Sequence, residues 1–80
     1  MSRIEIKSPL PGTFYRRPAP DKPDFKKEGE DVEPSDTIGL VEVMKTFIEV
    51  RAGVTGRGIV FLVDDAEAVM AGQVIAEVGE

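Results

Sequence analysis

Apolar residues recur at every second position over short stretches of this chain. Ile4 and Ile6 flank Glu5, and Ile38 and Leu40 flank Gly39. Ile59 to Val63 forms a brief apolar run, and Val74 to Val78 reads Val-Ile-Ala-Glu-Val. These stretches are rich in β-branched residues and bounded by Gly, Pro, Asp or Ser, which predicts strands separated by turns. Val41 to Val50 lies within a long segment free of Gly and Pro. Thr46, Phe47, Ile48 and Val50 are poor helix formers, so this segment is expected to be a hairpin. Five of the six prolines lie before residue 25, and eight glycines punctuate the rest too often for long helices.

The pattern repeats. Ile4-Glu5-Ile6-Lys7-Ser8-Pro9-Leu10-Pro11-Gly12 aligns with Ile48-Glu49-Val50-Arg51-Ala52-Gly53-Val54-Thr55-Gly56, 44 positions on. Val32 to Ile38 aligns with Val69 to Ile75, 37 positions on. The order is kept, so the chain reads as two similar halves. The first half must hold seven extra residues (44 − 37), and the proline-rich stretch Arg17 to Asp24 lies in the right interval. The turn-rich block Glu28 to Asp36 is matched with Asp64 to Gly72. Two strand-rich halves predict an all-β fold. It is expected to be a flattened antiparallel barrel or sandwich of two four-stranded sheets, related by an internal pseudo-twofold repeat.

Composition narrows the chemistry. Eighty residues make one domain, residues 1–80, with a modest core. There is no cysteine and no histidine, which removes disulfides, thiolate metal sites and triad-type nucleophiles within this chain. A net charge of −5 disfavours nucleic acid. No apolar run suits a membrane span or a signal peptide. The expectation is a soluble, cytoplasmic domain with no catalytic residues and no metal. The acidic stretches Glu28 to Glu33 and Asp64 to Glu67 lack the spacing of a calcium loop and read as solvated turns. Phe14, Tyr15, Phe25, Phe47 and Phe61 read as packing groups. The repeat puts Lys45 between a strand ending near Val43 and one starting near Phe47, at a hairpin tip. An exposed amine there suits acceptance of an acyl group delivered in activated form.

Glu42-Val43-Met44-Lys45-Thr46 resembles the Glu-Ala-Met-Lys-Met motif of biotinyl domains, with Val43 for Ala and Thr46 for Met or Leu. Ser8-Pro9-Leu10-Pro11-Gly12-Thr13-Phe14-Tyr15-Arg16 is similar to that family's Ser-Pro-Met-Val-Gly-Thr-Phe-Tyr-Arg. Pro18-Ala19-Pro20-Asp21 resembles the start of the "thumb", an insertion of acetyl-CoA carboxylase carrier proteins, here about residues 17–26. The likeness covers roughly residues 3–79. Ser35 and Ala66 stand where glycines are common.

The resemblance implies a biotin carboxyl carrier domain of a biotin-dependent carboxylase of the acetyl-CoA carboxylase type. Biotin would be joined covalently to Lys45 by a biotin protein ligase, in the context of Glu42, Val43, Met44 and Thr46. It would be carboxylated by a biotin carboxylase subunit and would deliver carboxybiotin to a carboxyltransferase subunit. The thumb residues Pro20, Asp21, Lys22, Pro23, Asp24 and Phe25 would face the biotin ring. Two alternatives share the fold: a lipoyl-type carrier, and an interaction domain with no cofactor. Met44 and the thumb weigh against the lipoyl type.

Overall fold

A computed structural model describes residues 2–80, and every regular element among them is a strand. Seven strands follow in order: β1 Arg3–Lys7, β2 Gly12–Tyr15, β3 Thr37–Val43, β4 Thr46–Arg51, β5 Arg57–Phe61, β6 Glu67–Val69 and β7 Val74–Gly79. They form a three-stranded sheet, β1-β7-β5, and a four-stranded sheet, β4-β3-β2-β6, with all neighbours antiparallel. Alternation decides the interior, because successive side chains of a strand point to opposite faces. Ile6, Phe14, Val41, Val50, Ile59 and Val78 turn inward, and together with Ile38, Val69 and Ile75 they make one buried cluster between the sheets. Among the described residues no helix is long and apolar enough to cross a membrane.

The two halves follow the same course. In the first sheet Ile4 pairs with Val78 and Ile6 with Ala76; the equivalent pairs in the second are Ile48 with Val41 and Val50 with Gly39. Even the irregularities correspond. One ladder skips Ile75 and the other skips Ile38, and both isoleucines are fully buried. A bulge that frees one residue from pairing turns its side chain wholly into the core.

The turns repeat as well. The backbone N–H groups of Lys27, Glu33, Asp64 and Met70 each donate to the side-chain oxygen three residues on, at Glu30, Asp36, Glu67 and Gln73. These turns pair at a spacing of 37, one position away from the match of Glu28–Asp36 with Asp64–Gly72. Gly29 and Ala66 are the equivalent residues with positive φ, 89° and 66°, which explains why glycine suits position 66. Ser35 is not left-handed, although its counterpart Gly72 is, at φ 80°. The Glu33 amide, helped by Lys26 at 3.2 Å, lowers the pKa of the Asp36 carboxyl. The acidic stretches are therefore more than solvated loops, since their carboxylates hold backbone N–H groups that would otherwise face water.

Two expectations need correction. The smaller sheet has three strands, not four. Its fourth place is filled by residues 29–32, which reach β5 through the Val32–Gly56 bridge and through bonds between Gly29, Glu30 and Ile59. The ladder is broken where Gly58 adopts φ 61°, and its N–H donates to the Asp31 carboxylate instead of to backbone. Glu28 likewise accepts from the Phe61 N–H. Carboxylates thus blunt this edge of the sheet. The same irregularity at Gly58 shifts the spacing between halves from 44 at Arg57 to 45 at Val60. The residues without a counterpart therefore number eight rather than seven, and they fall between Tyr15 and Lys27.

Candidate functional site

β3 and β4 form a hairpin closed by the pair Val43–Thr46, with Met44 and Lys45 as its two-residue turn. Both have positive φ, 50° and 67°, as a type I′ turn demands. Such turns match the twist of the strands but normally take Asn-Gly. Met and Lys are unbranched at Cβ, so they enter this region at a cost of about 1 kcal/mol or more each. The paired strands on either side hold them there. Met44 is 94% exposed, and the Lys45 side chain is exposed. Among the described residues Lys45 has no hydrogen-bond or ion-pair partner. A backbone under strain thus displays a free amine at the outermost point of a rigid hairpin.

The outward face of the larger sheet continues from this tip. Glu42 lies opposite Phe47 in register, and next to Thr13 on the other side. The Tyr15 hydroxyl donates to Glu42 Oε1 at 3.2 Å, and the Tyr15 and Phe47 rings lie 6.2 Å apart, tilted by 52°. Desolvation, reinforced by the Glu42 carboxylate, raises the pKa of the Tyr15 phenol, so it remains a hydrogen-bond donor across the neutral range. Tyr15 and Phe47 form one wall of a groove of about 360 Å³, and Arg17, Pro18, Ala19, Pro20 and Asp65 complete it.

Residues 17–20 project over this face because their base is tied down. Asp24 pairs with Arg17 Nε at 3.0 Å and with Arg16 Nη2 at 3.5 Å. The Phe25 N–H donates to the Arg16 carbonyl, and the Arg16 N–H to the Asp65 carboxylate at 2.7 Å. The Arg16 guanidinium also lies 4.1 Å above the Phe61 ring. The Lys22 N–H donates to the Ala19 carbonyl, closing the outer turn. Replacing Asp24 with Ala leaves two guanidinium groups without their partner. We expect a loss of about 1–2 kcal/mol, seen as a lower melting temperature and as faster protease cleavage within residues 17–26. Unchanged cleavage would show that the ion pairs do not hold the segment.

The residues singled out from sequence are therefore divided. Glu42, Val43, Met44, Lys45 and Thr46 stand together at the hairpin. Of Pro20, Asp21, Lys22, Pro23, Asp24 and Phe25, only Pro20 lines the groove. Asp21, Lys22 and Pro23 are exposed, while Asp24 and Phe25 anchor the segment. Tyr15, Arg17, Pro18, Ala19, Phe47 and Asp65 were not anticipated as groove residues. Tyr15 and Phe47 pack against each other rather than in the core, Tyr15 half-buried and Phe47 54% exposed. The signal in the sequence was an aromatic at an outward position of each neighbouring strand, and it becomes visible only when β2 and β4 are known to flank β3. Among the described residues no group of three His, Cys, Asp or Glu side chains could hold a metal ion.

Comparison with known proteins agrees with this geometry. The family model described as "Biotin-requiring enzyme" matches residues 4–78. The biotin carboxyl carrier protein of acetyl-CoA carboxylase from Chlamydia pneumoniae is 45% identical over 67 residues, covering 84% of this chain and 40% of that protein. The same-named protein of Pyropia yezoensis is 38% identical over 73 residues, covering 91% of this chain and 46% of its own length. The chloroplastic protein of Glycine max is 39% identical over 64 residues, covering 80% and 24%. The chain spans less than half the length of each of these relatives. The match over almost every described strand, including the β3–β4 hairpin that carries Lys45, places the chain in the biotin/lipoyl domain family of biotin-requiring enzymes.

Proposed function

We propose that this chain is the biotin-bearing carrier domain of an acetyl-CoA carboxylase, with Lys45 as the attachment residue. The observation that carries the reading is the Met44-Lys45 turn, an unpaired amine held at the tip of a strained hairpin beside a groove. The residues present fit the cofactor. The Lys45 amine is the acyl acceptor for an amide bond. The groove offers Tyr15 and Phe47 faces for the apolar part of a ring. Arg17 offers donors for a ureido carbonyl, and Asp65 offers an acceptor for a ureido N–H. Phe47 lies two positions beyond Lys45, about 7 Å along the strand, which is within reach of a ring on a flexible arm.

When bound, biotin supplies a ureido nitrogen that takes up a carboxyl group and gives it away again. The chain's own contribution is placement. A rigid hairpin sets where the arm begins, and tethering replaces diffusion between two active sites with a high effective concentration. Tyr15, fixed by Glu42, and residues 18–20, fixed through Asp24, would form the thumb and its opposing wall. The partners that follow are a biotin protein ligase, a biotin carboxylase and a carboxyltransferase, in a cytoplasmic setting.

Coexpression with a biotin ligase, followed by intact-mass measurement and peptide mapping, tests this reading. The expected result is one biotin adduct, mapped to Lys45. A lipoyl adduct, or no adduct with ligase in excess, would overturn it.

A further inference from the structure

Six large apolar side chains stand exposed among the described residues, and three of them, Leu10, Met44 and Met70, occupy the end of the molecule that bears Lys45. Met44 is in the turn itself. Leu10 lies in the loop entering β2, and Gly12 at the end of that loop abuts the Glu42 carbonyl and the Val43 side chain. Met70 follows β6, which pairs with β2 from Gly12 to Phe14. The loops of Leu10 and Met70 are bonded to each other: the Ser8 N–H donates to the Gln73 carbonyl, and the Gly72 N–H to the Ser8 carbonyl.

Each of the three is rigidly presented. Leu10 is flanked by Pro9 and Pro11, whose rings restrict the backbone. Buried Ser8 donates through Oγ to the Leu10 carbonyl at 2.7 Å. The Met70 N–H is held by Gln73 Oε1 at 2.9 Å, and Met44 is fixed by the hairpin. The backbone at each position is already ordered, which removes that part of the entropic cost of binding while the side chains stay free to adapt.

The repeat supplies an internal comparison. At the opposite end of the sandwich the counterpart of Leu10 is Val54, which is partly buried against the core. The counterpart of Met70 is Glu33, which is charged. At these two matched positions, among the described residues, the repeat carries exposed apolar side chains at the end where Lys45 stands and a partly buried valine and a glutamate at the other. Folding alone does not account for this difference, since both ends close the same turns.

We infer that Leu10, Met44 and Met70 form a docking rim for the ligase that acylates Lys45, seated against an apolar border around that enzyme's active-site mouth. This rests on Lys45 being the acceptor. The ligase is the partner for a geometric reason. It must receive the lysine amine itself, on a four-carbon stem, so the protein surface comes up against the enzyme. An enzyme that receives only the far end of the completed arm leaves that surface farther away. Met suits such a border because its unbranched thioether adapts to the opposing surface.

The test is steady-state biotinylation of the wild type, of Leu10→Ser/Met70→Ser, and of Val60→Ser, an apolar site about as exposed as Leu10 on β5 in the other sheet. Thermal melts establish that each variant is folded at the assay temperature, and the single variants serve if the double is not. The expected result is a KM raised about tenfold in the double variant with kcat unchanged, and no change in Val60→Ser. An unchanged KM with the wild-type adduct mapped to Lys45 would overturn the rim and leave the attachment site standing. An equal rise in Val60→Ser would also overturn it, by showing a response to surface apolarity in general. A wild-type adduct mapped to another residue would remove the attachment site, and the rim with it.

Discussion

Replacing Lys45 with Arg is expected to abolish biotin incorporation while leaving the domain folded, with its melting temperature within about 2 °C of wild type. A guanidinium keeps the charge and the unbranched stem, so the hairpin backbone sees nearly the same residue. It remains protonated, however, and has no free amine lone pair with which to form an amide. The change therefore separates chemistry from fold. Lys45→Gly serves as the complementary measurement. It also blocks attachment, but it relieves the left-handed strain at φ 67°. A gain of about 1 kcal/mol, some 4–8 °C in a domain of this size, is expected. A biotin adduct that persists in Lys45→Arg would refute the site assignment. A Lys45→Gly variant no more stable than wild type would show that the turn stores no strain.

The largest effect on stability should come from Gly12→Ala and Gly56→Ala. These glycines occupy equivalent places in the two halves, each at the entry to its strand. A Cβ at Gly12 would stand 2.3 Å from the Glu42 carbonyl oxygen and 2.8 Å from Val41 Cγ1. At Gly56 it would stand 2.2 Å from Val78 Cγ2 and 2.5 Å from Val78 Cβ. Neither clash can be relieved by turning the end of a flexible side chain. At Gly12 the obstacle includes backbone, so β2 must move away from β3; at Gly56, β7 must move. We expect about 3 kcal/mol of destabilisation for each, or roughly 12–24 °C. Gly29→Ala is the contrast. A Cβ there meets nothing within 4 Å, and the equivalent residue in the other half is already an alanine, Ala66, in the same left-handed region. Its cost should be about 1 kcal/mol, from backbone strain alone. Thermal melts of the three variants side by side distinguish close approach from strain; similar losses in all three would contradict the packing argument.

Gly12→Ala should also act on function. The displaced carbonyl belongs to Glu42, whose carboxylate holds the Tyr15 hydroxyl at the groove wall. Packing in the first half of the repeat and the shape of the groove are thus joined at one residue. Gly56, at the opposite end, has no such connection.

The strands and the hairpin were legible because their signals are local. Alternation marks which residues of a strand share a face. A ten-residue segment of β-branched and aromatic residues with a single break marks a hairpin, and the doubling of Ile-Glu-Ile and Ile-Glu-Val marks a repeated unit. The hairpin-tip position of Lys45 followed from the repeat, and its proposed role as acceptor from the resemblance of the motif around Met44-Lys45. The missing eighth strand was harder to foresee. It depends on Gly58 taking a left-handed conformation that directs its N–H to Asp31, a residue 27 positions away.

What the sequence determined by itself is the all-β class, the two similar halves and the exposed lysine at a turn. The strands and turns follow from neighbours within a few residues of one another, and the two halves from comparing such short blocks 44 and 37 positions apart. What only the tertiary structure decided is the groove and the rim. Tyr15 and Phe47 read only as packing groups until β2 and β4 are placed on either side of β3, both with those rings facing outward. Asp24 stands among the residues expected to face the biotin ring until the chain doubles back and pairs it with Arg17 at 3.0 Å. Leu10 and Met70, 60 positions apart, come together because their loops share hydrogen bonds, and strand register brings both to the end of the sandwich that bears Lys45. Side-chain direction is set by the local period of two, but which directions converge is set by strand order and register. Those depend on long-range pairing that no short window of sequence contains.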